Sequence, residues 1–167
     1  MVQAADKKEI DLMVIGNPLL DISVWVNDTT LLEKYGLKNG EACLASEAQM
    51  PIYAELLAME GMATMPGGAG LNSCRGAAFA MQQAGYETKG VTYFGSIGED
   101  ENGAALEKTV SDAGIIPNFH KEKEVATGTC AAVVVGKERS LCANLGACIK
   151  YPTDHLNANM VRYLSPN

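Results

Sequence analysis

Pro66-Gly67-Gly68-Ala69-Gly70 runs directly into Leu71-Asn72-Ser73-Cys74-Arg75-Gly76-Ala77-Ala78-Phe79-Ala80-Met81-Gln82-Gln83-Ala84, and the stretch stops at Gly85. Glycines in front of an alanine-rich run and a glycine behind it predict a loop feeding a helix over Leu71–Ala84. Apolar residues occupy most of the circumference of that run, so a buried helix is expected, with small side chains allowing close approach to a sheet. A glycine-dense loop at a helix start also lets backbone N–H groups approach an oxygen-rich or anionic ligand. A tight strand-to-helix connection without any ligand explains the same glycines.

On either side the pattern alternates between strand and helix. Ile10 to Gly16 reads as a buried strand ending in the turn Gly16-Asn17-Pro18. Ser23–Val26 and Ala42–Leu44 are short strand-like runs, and Thr30–Tyr35 and Ala48–Glu60 have helical rhythm. Beyond Gly85, Lys89–Phe94 reads as a strand, Asn102–Ala113 as a helix and Ile115–Phe119 as the start of a strand. This succession predicts βαβ units and a parallel sheet flanked by helices. Thr127–Val135 and Arg139–Leu145, separated by Gly136-Lys137-Glu138, predict an antiparallel hairpin instead. The fold class expected is therefore α/β, an incomplete parallel core with a small β lid. Residues 1–16, 66–118 and 148–167 are assigned to the core, and 17–65 and 119–147 to the lid. The tail Met160–Asn167 is read as the start of a further core strand.

Composition narrows the function. Thirteen Lys and Arg against twenty Asp and Glu leave a net charge of −7, with no basic cluster to neutralise phosphates. Nucleic acid and anionic membrane surfaces are thus not expected as partners. A hydrophobic fraction of 47% with mean hydropathy near zero predicts a soluble globular domain. The polar start and the lack of long apolar runs make the cytoplasm the expected location. Five cysteines with no C-x-x-C pair, and only two histidines, predict buried thiols in a reducing compartment and no metal site.

Two familiar nucleotide motifs fail. Gly136-Lys137 is followed by Glu138 and preceded by Ala131 where a P-loop needs its first glycine. Gly68 and Gly70 are followed by Ser73 where a dinucleotide fingerprint needs a third glycine. Asp21 adds a different clue. It lies just beyond the Gly16-Asn17-Pro18 turn, at the end of a strand where open α/β sheets bind ligands. A carboxylate there accepts hydrogen bonds from both hydroxyls of a vicinal diol. Stabilising a turn is the plainer role for the same residue.

Gly67-Gly68-x-x-x-Asn72, the alanine-rich helix and Gly95-Ser96-Ile97-Gly98-x-Asp100-x-x-Gly103 together resemble the first signature of the ribokinase-like (PfkB) sugar kinases. Within that family, three blocks resemble the adenosine kinases: Gly16-Asn17-Pro18-Leu19-Leu20-Asp21, Thr127-Gly128-Thr129-Cys130-Ala131-Ala132 and Arg139-Ser140-Leu141-x-Ala143-Asn144-Leu145. The resemblance covers about Leu12 to Ala147. It implies that Asp21 binds the ribose 2′ and 3′ hydroxyls, helped by Asn72 and the backbone of Gly67 and Gly68, with Asn17 nearby. It implies further that Leu44, Leu141 and Ala143 cover the adenine ring, with Cys130 beside them. Arg139 would stabilise the transferring phosphoryl group through its fixed fork of donors.

The activity implied is ATP- and Mg2+-dependent phosphorylation of the adenosine 5′-hydroxyl to AMP, in purine salvage, by a monomer. A ribokinase-type sugar kinase and a non-catalytic nucleoside-binding fragment are the alternatives. The family's late Gly-Ala-Gly-Asp motif, which carries the base, is not found, because Gly68-Ala69-Gly70 is followed by Leu71. Nor does any Asn have a Glu three residues later, the pattern of the family's magnesium motif. The 167 residues are therefore expected to end before the catalytic Asp and the ATP site, to be inactive alone, and to be marginally stable with an unpaired sheet edge.

Overall fold

The computed structural model describes residues 10–85, 90–161 and 163. Two sheets organise them. The first holds β1 (Leu12–Ile15), β5 (Val91–Gly98) and β6 (Ile115–Glu122), all parallel, in the order β1-β5-β6. The second holds β2 (Leu19–Val26), β3 (Ala42–Leu44), β4 (Ala63–Gly67), β7 (Thr129–Val135) and β8 (Glu138–Asn144). Its order is β3-β8-β7-β2-β4. It is mixed: β2 runs parallel to β7 and antiparallel to β4, and β8 runs antiparallel to β7 and parallel to β3.

The helices are α1 (Thr30–Lys34), α2 (Pro51–Leu57), α3 (Ala69–Gln83), α4 (Glu101–Asp112) and α5 (Thr153–Met160), with 3-10 turns at Glu47–Gln49 and Gly146–Lys150. Strand β5 is buried along its whole length because it lies between two neighbours and is covered on both faces. Leu71 and Cys74 of α3 and Leu106 and Val110 of α4 pack with Val91, Tyr93, Ile97 and Ile115. Each large apolar side chain buried in this way contributes about 1.5–3 kcal/mol. A second cluster lies under the other sheet. There Ile22, Val24, Ala131, Val133 and Cys142 meet Leu32, Ile52, Tyr53 and Leu56.

The Gly98-x-Asp100-x-x-Gly103 stretch is a joint between the two halves. Asp100 caps α4 by accepting from the Gly103 N–H at 2.8 Å, and it accepts from both the N–H and the hydroxyl of Thr127, at 2.8 and 2.6 Å. The Thr127 hydroxyl in turn accepts from the Gly98 N–H at 2.9 Å. One carboxylate thus ties the end of β5, the start of α4 and the entry to β7.

Several elements differ from the sequence reading. Strand β2 begins at Leu19, so Asp21 stands inside a strand and not in a turn beyond one; cross-strand pairing with β7 and β4 overrides the weak local signal. Residues read as loop at Pro66 and Gly67 are the end of β4, a strand that Pro and Gly concealed because they are poor strand formers in isolation. The helix read over Ala48–Glu60 is a 3-10 turn followed by α2, which Pro51 opens at its first position. Helix α3 is not buried all round: Phe79 is 64% exposed, and only Leu71 and Cys74 are buried. Its apolar circumference reflects small alanines, which fit solvent as well as core. The tail read as a strand from Met160 follows α5 instead; Arg162 and residues 164–167 lie outside the described residues, as does Lys89 of the predicted strand. Strand β6 continues to Glu122, and β4 pairs into the five-stranded sheet through Gly67.

Candidate functional site

Pairing registers in the five-stranded sheet place Leu44, Ala143, Cys130, Asp21 and Met65 in a single transverse row, one residue from each strand. Side chains alternate along a strand, so residues two apart share its face. Leu141 and Arg139 on β8, Gly67 on β4 and Trp25 on β2 therefore join this row on the same side. The opposite side carries Ile22, Val24, Ala131, Val133 and Cys142 into the core. This face gathers residues from all five strands.

Asp21 is its polar centre. The carboxylate is 6% exposed and accepts a hydrogen bond from Nη2 of Arg139 at 2.8 Å. Burial pushes its pKa above the ordinary carboxyl value; the Arg139 charge and hydrogen bond pull it back only in part. Arg139 leaves nearly half its side chain in water, so its own charge stays solvated when it swings away, while Asp21 then needs another partner. Asp21 is held beside Gly67 with no room to spare. A Cβ at Gly67 would stand 2.0 Å from Asp21 Oδ1, which only glycine avoids.

The next residue turns the chain. Gly68 has φ of +98°, a region side chains rarely adopt, and a Cβ there would lie 2.2 Å from the Asn17 carbonyl. The Gly68 carbonyl accepts from the Asn72 N–H at 2.9 Å, opening α3. Gly67 and Gly68 thus bring Asn17, Asp21 and the start of α3 together. The side chains of Asn17 and Asn72 are exposed there.

The apolar part is less uniform. Leu44 is 67% exposed, and Leu141 and Ala143 are half-buried beside Leu19 and Cys130. Cys130 is 4% exposed and its thiol is pushed up to about 12, mainly by burial and then by Asp21, so it backs the wall as a protonated thiol. The sequence reading missed Trp25 and Met65, which are 62% and 44% exposed on this face. The signal for Trp25 was available: in Asp21-Ile22-Ser23-Val24-Trp25, the residues flanking Ile22 and Val24 fall on the side of Asp21. Met65 required knowledge of the β4 register. Among the described residues no group of three or more His, Cys, Asp or Glu side chains is placed to hold a metal ion. Nor is any helix among them long and apolar enough to cross a membrane.

Comparison with known proteins identifies the family and the fold. Residues 29–166 match the pfkB family carbohydrate kinases. Adenosine kinase 2 of Arabidopsis thaliana is 41% identical over 145 residues, covering 87% of this chain and 41% of that protein. The structure of Anopheles gambiae adenosine kinase in complex with P1,P4-di(adenosine-5) tetraphosphate superposes with a TM-score of 0.83 at 37% identity, covering 90% of this chain and 44% of that one. Schistosoma mansoni adenosine kinase in complex with adenosine gives 0.81 at 31% identity, covering 93% and 44%. The chain spans less than half the length of each of these proteins. With a mixed α/β fold like theirs and the family signature spanning most of its length, the chain belongs to the pfkB family of carbohydrate kinases.

Proposed function

We propose that this chain forms the nucleoside-binding portion of an adenosine kinase, which transfers the terminal phosphoryl group of ATP to the adenosine 5′-hydroxyl and gives AMP for purine salvage. The observation that carries this reading is the row Leu44-Ala143-Cys130-Asp21, which places one buried carboxylate at the end of a short apolar strip on one face of a sheet. A ribonucleoside has the matching polarity, a vicinal diol at one end and a flat apolar base at the other.

Asp21 accepts from the 2′ and 3′ hydroxyls, with the Gly67-Gly68 backbone and Asn72 beside it and Asn17 near the sugar. Leu44, Leu141 and Ala143 cover the base. Binding the diol takes over the carboxylate that Arg139 holds, and the freed guanidinium then faces the 5′ side, where its donors suit phosphoryl oxygens. Residues 17–65 and 119–147 act together as the lid of this site. The general base and the ATP and Mg2+ contacts come from segments that these 167 residues do not supply, so the chain alone binds and does not turn over.

Titration calorimetry of the 167-residue chain with adenosine and with free ribose tests this. Adenosine should bind with a dissociation constant below about 1 mM, equivalent to roughly 4 kcal/mol, and ribose at least tenfold more weakly. Equal affinity for the two would favour a sugar kinase, because the apolar wall would contribute nothing. No heat with adenosine at that concentration would remove the nucleoside reading.

A further inference from the structure

Cys43 on β3 and Cys142 on β8 are direct partners in the parallel register of those two strands. Neighbouring strands lie about 4.8 Å apart, and disulfides bridge Cα atoms roughly 4.4–6.8 Å apart, so the backbone already stands at bridging distance. The two residues are register partners, so their side chains point to the same side of the sheet, and the thiols lie near enough to act on one another electrostatically. They differ sharply in access. Cys43 is exposed and lines a pocket of about 180 Å3 with Leu37, Lys38, Glu41 and Gln49, while Cys142 is fully buried against Tyr53 and Ile52.

We propose that Cys43 and Cys142 form a peroxide-sensitive dithiol that closes to a cross-strand disulfide and fastens β3 to β8. In the first step the Cys43 sulfur attacks one oxygen of hydrogen peroxide. The O–O bond breaks, the sulfur is oxidised to sulfenic acid, and one water leaves with the thiol proton. In the second step the Cys142 sulfur attacks the Cys43 sulfur. The S–O bond breaks and a second water leaves with the Cys142 proton. One peroxide is reduced to two waters, and two thiols give up two electrons.

Three features favour this pair over any other. The pocket gives a small oxidant access to Cys43 alone, since Cys74, Cys130 and Cys148 are buried. Burial, followed by the interaction with Cys43, pushes Cys142 up to about 11, so it stays a protonated thiol and leaves the first attack on peroxide to Cys43. Strand β3 is held by only three paired residues at the sheet edge, so a covalent tie there changes its freedom more than it would in a central strand. Leu44 follows Cys43 and points to the opposite face, so the tie also fixes one wall of the proposed nucleoside site. That consequence rests on the proposed function, whereas the linkage itself does not.

The test is peptide mapping of the 167-residue chain after mild hydrogen peroxide treatment and alkylation of the remaining thiols. The expected result is a dominant Cys43–Cys142 linkage, with two of the five thiols lost and the other three still alkylated. Repeating the treatment in concentrated urea should scatter the linkages among several pairs, because the preference comes from the fold. Cys43→Ser, an exposed change that leaves the core intact, should leave Cys142 reduced and alkylated once the chain is opened. Scattered linkages under native conditions would overturn the proposal. So would chains joined to one another, or Cys43 carried to sulfinic acid with Cys142 still reduced. Failure of adenosine to bind would leave this mapping unaffected, which separates the two claims.

Discussion

The guanidinium of Arg139 donates to the Asp21 carboxylate at 2.8 Å, across one intervening row of the same sheet face and from a strand that is not a neighbour of β2. Long reach makes this contact possible, and partial exposure makes it breakable. Both groups are needed elsewhere in the proposed reaction, Asp21 by the ribose and Arg139 by the phosphoryl group. Under the proposed function, their pairing is a resting arrangement that ligand binding would exchange for new partners.

Arg139→Ala should not weaken adenosine binding by more than about threefold, because the side chain competes with the diol for Asp21 instead of gripping the nucleoside. Calorimetry on the variant checks this. A loss of tenfold or more would mean that Arg139 holds the nucleoside directly.

The two glycines are predicted to fail in different ways. Gly67→Ala drives a methyl group into the Asp21 carboxylate, which must rotate away; stability should fall by about 1–3 kcal/mol and adenosine binding should be lost. Gly68→Ala meets the backbone carbonyl of Asn17, which cannot rotate, and adds the strain of a positive φ; the cost is at least about 1–3 kcal/mol. Denaturant titrations compare the two. A Gly68→Ala variant as stable as the parent would show that the turn differs from the one described.

Thr127→Val removes the acceptor for the buried Gly98 N–H and one donor to Asp100, while keeping the shape of the side chain. Leaving that amide unpaired should cost about 1–3 kcal/mol. A urea midpoint unchanged from the parent would show that the joint does not couple the two sheets.

Asp100 and Asp21 should give stability opposite slopes with pH. Burial raises Asp100, but hydrogen bonds from Thr127 and Gly103 outweigh it and hold the folded-state value below the ordinary carboxyl range. Its contribution is present above the unfolded value near 3.8 and is lost as pH falls through the lowered folded value. Asp21 is raised by burial beyond what Arg139 restores, so the folded state holds its proton longer than the unfolded chain does. Stability from Asp21 therefore declines as pH rises from about 3.8 through the raised value. Urea midpoints measured across this range should lose the acid-side fall in Asp100→Asn. The opposing decline should vanish in Asp21→Asn, with neutral-pH stability changed by no more than about 1 kcal/mol, since Arg139 can turn into solvent. A large loss of stability in Asp21→Asn would make the pair a structural bond first.

Helices α1, α3 and α4 and the strands of the parallel sheet were legible because their signals are local, glycine stops and continuous apolar runs, whereas α5 was not read as a helix. The hairpin of β7 and β8 was legible for the same reason, with Gly136 at its turn. What stayed hidden depends on contacts distant in sequence. Strand β4 contains Pro66 and Gly67 and exists because β2 pairs with it. The exposure of Phe79 depends on what packs against α3, which periodicity alone does not specify. For the candidate site, Asp21, Gly67, Gly68 and Arg139 were legible through motif resemblance, and the structure brings all four together. Trp25 and Met65 belong to no motif; alternation along Asp21–Trp25 places Trp25 on the site face, whereas Met65 emerges only from the β4 register.

The measurement that bears most directly on the central claim compares adenosine with its 2′,3′-dideoxy analogue by calorimetry, in the parent chain and in Asp21→Asn. A buried carboxylate that grips the diol should give the parent a preference of roughly tenfold to a hundredfold for adenosine, and the variant almost none, as the loss of charge-assisted hydrogen bonds implies. A variant that keeps the full preference would place the sugar hydroxyls away from Asp21 and contradict the account.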